Sequence, residues 1–135
     1  MFLIDTGVIV ETRKRKPDPK VMAWLKRADP AAVHVSVLSL AEIASAAARL
    51  ARRDAAAGTA LLAWLLAFQA RHDERVVGID AEIALLWGRL AGELPLPVVD
   101  GLLLATAHVR KLTLVTRAIR AATRLGVPVL DPWQG

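Results

Sequence analysis

Three acidic residues stand where apolar runs break off: Asp5 after Phe2-Leu3-Ile4, Glu42 within VSVLSLAEIASAAARL, and Asp100 between LPLPVV and GLLLATAHV. Carboxylates that converge without basic partners repel one another, and a hard divalent cation such as Mg²⁺ or Mn²⁺ is the usual reason they are tolerated. A cation held that way activates water and stabilises charge on a phosphate oxygen, which is nuclease chemistry. Each acid also has a plain structural reading. Asp5 can cap a short helix over 7–11, Ser39 and Glu42 spell an S-x-x-E capping box, and Asp80 and Asp100 can each cap the helix that follows.

The elements that would position these acids alternate along the chain. Phe2 to Ile4 has the short, wholly apolar pattern of a strand buried on both faces of a parallel sheet, so the opening run is expected to be a strand rather than a signal peptide. A basic loop, Arg13-Lys14-Arg15-Lys16, leads to Asp18-Pro19, the N-cap and first position of a helix with Val21, Leu25 and Ala28 on one face. Val33 to Val37 is the second strand, and a helix opens at Ser39 and runs to about Arg53. A further helix covers 55–72. Val76 to Ile79 is the third strand, and Asp80 caps a helix that runs to about Gly92. Pro95 to Pro97 excludes regular structure. A helix from about Val99 to Arg110 and strands at Leu112 to Val115 and Val127 to Leu130 complete the list. Strands alternating with helices predict one α/β domain over 1–135, built on a mainly parallel sheet of about five strands.

That organisation removes a competing reading of Asp5-Thr6-Gly7. Aspartic proteases carry the same triplet, but in a fold made almost entirely of strands. The chain has 135 residues, 55% of them hydrophobic, enough for a continuous core, and a mean hydropathy of +0.40. It has no cysteine, which excludes disulfides and zinc ribbons and is compatible with a cytoplasmic location. No apolar stretch approaches the ~20 residues needed to cross a bilayer, so no membrane partner is expected. A net charge of +5 and a pI near 10.4 favour an anionic partner, nucleic acid or an acidic protein segment.

Taken together, FLIDTGVIVE, VSVLSLAEIASAAARL, VVDGLLLATAHVRKLTLVTR and the terminal VPVLDPW resemble the PIN-domain ribonucleases. Within that family the chain is most similar to the VapC-like and FitB-like toxins of bacterial toxin–antitoxin pairs. The resemblance spans the whole chain in order and spacing. It implies a three-layer α/β/α sandwich and Mg²⁺- or Mn²⁺-dependent endonucleolytic cleavage of RNA. Asp5, Asp100 and Glu42 would be the catalytic acids and metal ligands, Thr6 and Thr116 would support them, and Arg117 with Arg13, Lys14, Arg15 and Lys16 would hold RNA phosphates. It further implies a homodimer neutralised by a small antitoxin. The helix stripe of Leu61, Trp64, Leu65 and Phe68, with Trp24 and Trp87, supplies apolar groups for the core and for such an interface.

Two departures stand out. Gly7 replaces the asparagine usual after Asp-Thr, and Ala121 stands where the pattern TRN-x-x-D has a fourth acid. One carboxylate fewer implies weaker metal binding, with Mn²⁺ serving better than Mg²⁺. It also keeps open a catalytically impaired PIN domain that binds RNA or antitoxin without cutting. A basic α/β interaction domain whose acids are only caps is the third reading.

Overall fold

The computed structural model describes residues 1–118 and 120–135, and side chains throughout those ranges except at positions 120, 121 and 123. Strand β1 (Phe2–Ile4) leads into helices α1 (Thr6–Glu11) and α2 (Pro19–Arg27), then β2 (Val33–Ser36) and the helices α3 (Val37–Ala51) and α4 (Ala55–Arg71). Strand β3 (Val76–Val77) is followed by α5 (Ala81–Glu93) and α6 (Val98–Arg110), and β4 (Thr113–Val115) and β5 (Val129–Leu130) close the chain. The five strands pair in parallel in the order β3-β2-β1-β4-β5.

Alternation along the strands divides the core into two. Leu3 and Leu114 face the cluster built by Ile83, Leu86 and Leu90 of α5 and Leu103 and Leu104 of α6. Ile4, Val33, Val35 and Val115 face the opposite cluster, with Val8 and Ile9 of α1, Val21 of α2, Ile43 of α3 and Leu65 and Phe68 of α4. A sheet covered on both faces is the expected three-layer α/β/α sandwich, and it explains why the strands are continuous apolar runs.

Several boundaries differ from the sequence reading, each for a local reason. Helix α3 starts at Val37, because the Ser36 hydroxyl accepts the Leu38 N–H at 3.0 Å and ends β2 there. The expected Ser39–Glu42 capping box therefore does not form. Helix α6 starts at Val98 after Pro97, so Asp100 lies inside the first turn and caps nothing. Strand β5 is two residues shorter than expected: the Pro128 carbonyl accepts from Leu114, but proline has no N–H to return. Asp18 and Asp80 cap α2 and α5 as expected, and Asp80 also pairs with Arg110 at 2.8 Å.

The aromatic stripe of α4 is core rather than surface. Leu65 and Phe68 are buried and Leu61 and Trp64 pack against them, whereas Leu62 and Leu66 face outward. Trp24 and Trp87 pack against the two clusters as well. Among the described residues no helix is long and apolar enough to cross a membrane.

The α3–α4 hairpin depends on one close approach. A Cβ at Gly58 would lie 2.5 Å from the Ala51 Cβ and 2.7 Å from its backbone. Alanine is intrinsically the better helix former by about 1 kcal/mol, but here the helices would have to separate, at a cost of about 1–3 kcal/mol. Gly58→Ala should therefore lower the melting temperature by several degrees in thermal unfolding, and an unchanged or raised value would refute the contact.

Candidate functional site

The strand order reverses its direction of growth at β1: the chain builds outward to β3, then returns to add β4 and β5 on the other side. In open α/β sheets ligands gather at the carboxyl ends of the strands beside such a switch point. Asp5 leaves the end of β1 and Thr116 the end of β4, on the two sides of that seam.

Asp5 is 9% exposed, and its carboxylate is held from both sides of the seam. Its Oδ1 accepts the Val8 N–H at 2.9 Å, which makes it the N-cap of α1, and its Oδ2 accepts the Thr116 hydroxyl at 2.5 Å. Thr116 Oγ1 in turn accepts the Ala118 N–H at 3.1 Å. Capping and site chemistry are thus not alternatives for Asp5, since two ionised oxygens offer about four lone-pair directions and the two bonds described leave capacity unused. Gly7 keeps the loop close: a Cβ there would come within 3.3 Å of Asp5 Oδ1.

Glu42 reaches the same place from α3. Thr6 Oγ1 is 2.6 Å from Glu42 Oε1 and 2.9 Å from the buried Ser39 hydroxyl. Because Thr6 has one proton and a carboxylate can only accept, Thr6 donates to Glu42 and accepts from Ser39. Ser39 and Glu42 are three apart on one helix face, so a single threonine meets both. Ser39 was not singled out in the sequence reading, which had placed it in a cap.

Asp100, on the first turn of α6, completes the group electrostatically. Partial burial pushes its carboxyl above the ordinary aspartate range, and the charges of Asp5 and Glu42 push it further. Asp5 is also raised, by its burial, against the lowering effects of the Thr116 hydroxyl, the Val8 N–H, the Arg117 charge and the Gly7 N–H. The ion pairs among the described residues are Lys14–Glu11 and Arg110–Asp80, so among those residues no lysine or arginine neutralises any of the three acids by direct contact. Three unneutralised carboxylates are a hard, all-oxygen donor set of the kind that suits Mg²⁺ or Mn²⁺. Among the described residues no group of three or more histidine or acidic side chains is placed to hold a metal ion as it stands, so the three acids would have to draw together around one. The Ala121 position, where the sequence pattern loses an acid, lies outside the described side chains.

The basic residues divide. Arg13 and Lys14 line a cleft of about 410 Å³ together with Thr6 and Glu42, whereas Arg15 and Lys16 are exposed beyond its lining. Lys14 is tied to Glu11 at 2.9 Å, and Arg13 lies over the Trp64 ring at 5.7 Å. Arg117 is exposed at the turn after Thr116 and stacks on Trp133. Two residues of this neighbourhood, Glu11 and Trp133, end the motifs FLIDTGVIVE and VPVLDPW, and the sequence reading assigns neither a role. A cavity of about 530 Å³ between α1, α2 and α4 is mainly apolar, and none of the three acids lines it.

The PIN domain family model matches residues 2–121. Toxin FitB of Neisseria gonorrhoeae is 30% identical over 139 aligned positions, covering 98% of this chain and 99% of that protein. The crystal structure of FitAcB from the same organism superposes with a TM-score of 0.87 at 26% identity, over 98% of this chain and 99% of that one. A toxin–antitoxin complex from Klebsiella pneumoniae shares the fold, with a TM-score of 0.72 at 20% identity and 98% coverage of both chains.

The upward shifts fix how this site acts on stability. The folded state retains protons that the unfolded chain has already released, so the site's penalty is absent below the ordinary carboxylate pKa and grows as pH rises through the folded values. Asp100→Asn should raise the melting temperature by a few degrees at neutral pH in EDTA, and the gain should vanish below about pH 4. A loss of stability at neutral pH would mean that Asp100 supports the fold.

Proposed function

The chain belongs to the PIN-domain family, and from that premise we propose that it is the toxin of a toxin–antitoxin pair, a divalent-metal-dependent endoribonuclease restrained by a small antitoxin. The observation that carries this reading is that Asp5 at the end of β1 is followed directly by Thr6, whose hydroxyl holds Glu42 of α3, that both acids push the Asp100 carboxyl up, and that among the described residues no lysine or arginine pairs with any of the three. Acids that serve only as caps have no reason to converge.

Asp5, Glu42 and Asp100 would hold Mg²⁺ or Mn²⁺, which when bound supplies Lewis acidity toward water and toward a phosphate oxygen. The chain's own groups do the positioning. Thr116 fixes the Asp5 carboxylate across the seam, and Thr6 donates to Glu42 Oε1. Arg13 and Lys14 line the cleft beside Thr6 and Glu42, and the Arg117 charge acts on Asp5, so an RNA backbone brought to the acids would meet positive charge near both Glu42 and Asp5. The antitoxin and the homodimer belong to the same reading, supported by the kinship to Toxin FitB and by the fold shared with a toxin–antitoxin complex. The outward Leu62 and Leu66 of α4 offer apolar surface to a partner.

The test is cleavage of mixed RNA with Mg²⁺, Mn²⁺ or EDTA, using wild type, Asp5→Asn, Glu42→Gln and Asp100→Asn. EDTA should stop cleavage, and each variant should lose more than the ~10–100-fold typical of groups that merely support a ligand. Undiminished cleavage in EDTA, or in all three variants, would refute the metal-dependent mechanism. Calorimetric Mn²⁺ binding without cleavage would identify a binding module instead.

A further inference from the structure

The acid cluster does not account for a stacked pair of side chains beside it, drawn from separate parts of the chain. Arg117 directly follows Thr116, so the bond from Thr116 to Asp5 anchors the turn that carries it. Its guanidinium carbon lies 4.1 Å from the centre of the Trp133 ring, well within cation–π range. Trp133 is itself held. Its N–H donates to Asp131 Oδ1 at 2.9 Å, and its side chain packs against the cluster that contains Ile4, Ile9 and Val115. Glu11, 3% exposed at the end of α1, accepts from the Asp18 N–H and from Lys14, each at 2.9 Å.

We propose that Trp133 is a positioning residue for RNA binding: its ring holds the Arg117 guanidinium beside the Asp5 carboxylate, where Arg117 grips a phosphate. This rests on the reading of the chain as an RNA-cleaving toxin. An exposed arginine gives up rotamer freedom when it binds, and stacking beforehand removes part of that loss. Stacking engages the face of the guanidinium and leaves its edge N–H groups, which lie in the plane, available for two parallel bonds to a phosphate.

The test is a double-mutant cycle on binding of a labelled single-stranded RNA in EDTA, read by fluorescence anisotropy across a salt titration, so that it does not depend on catalysis. Trp133→Leu should weaken binding about three- to tenfold, and Trp133→Phe, which keeps an aromatic face, should keep most of the affinity. Arg117→Ala should lower the salt slope by about 0.7, and Trp133→Leu should lower it in the same direction. The double variant should bind no more weakly than Arg117→Ala alone. Additive losses, or an unchanged salt slope in Trp133→Leu, would make Trp133 an ordinary packing residue and overturn the inference. If the leucine variant does not fold, Trp133→Met replaces it in the same cycle. Wild-type protein that binds no RNA would overturn the ribonuclease reading and this inference together, whereas wild-type binding with an additive cycle would overturn the inference alone.

Discussion

The bond between Thr116 and Asp5 spans the seam where the sheet changes its direction of growth, and the candidate site depends on it. On one side of the seam the chain passes from β1 into α1 and the cluster around Val8 and Ile9; on the other it passes from β4 to Ala122 and Leu125, which belong to the opposite cluster. The two exits diverge to opposite faces and leave a crevice between them. A carboxylate in that crevice is poorly solvated and stays ionised only with donors around it. Thr116, Val8 and Gly7 supply those donors, and none of them neutralises the charge. Asp5 is therefore fixed in place and still anionic in character toward whatever enters.

The charge distribution of the whole chain follows the same division. A net charge of +5 could have been used to neutralise the acids, yet the ion pairs among the described residues lie at Glu11 and Asp80. Arg13 and Lys14 line the cleft with Glu42 without pairing to it. Such an arrangement works against folding, as the raised values of Asp5 and Asp100 record, and the two apolar clusters flanking the sheet must offset it. A stability cost at a site, borne by packing elsewhere, is the common signature of a functional group held against its preference.

What the sequence made legible follows from the range of the forces involved. The five strands and the caps at Asp18 and Asp80 are local signals, apolar runs bounded by residues that satisfy a helix end, and they were readable. The acids were readable as candidates because each interrupts an apolar run. Glu11 was not: its burial arises only when the basic loop folds back and offers the Asp18 N–H, seven residues away. Trp133, in sequence only the end of VPVLDPW, gains a role when the fold sets it under Arg117. Boundaries failed where two local signals competed, as at Pro128, whose missing N–H outweighed a β-branched run.

The start of α3 is the most consequential of those competitions. Ser36 and Ser39 are both able N-caps, and with Ser39 at the helix end Glu42 would fold back onto its own backbone as the far half of a capping box. With Ser36 in that role, the orphan N–H of Leu38 is satisfied from outside the helix, and neither Ser39 nor Glu42 is needed there. Both are then free to turn to Thr6, two residues beyond the end of β1. A choice of three residues in where a helix begins thus decides whether Glu42 serves its own helix or stands beside Asp5, and the capping serine is what makes α3 a part of the site.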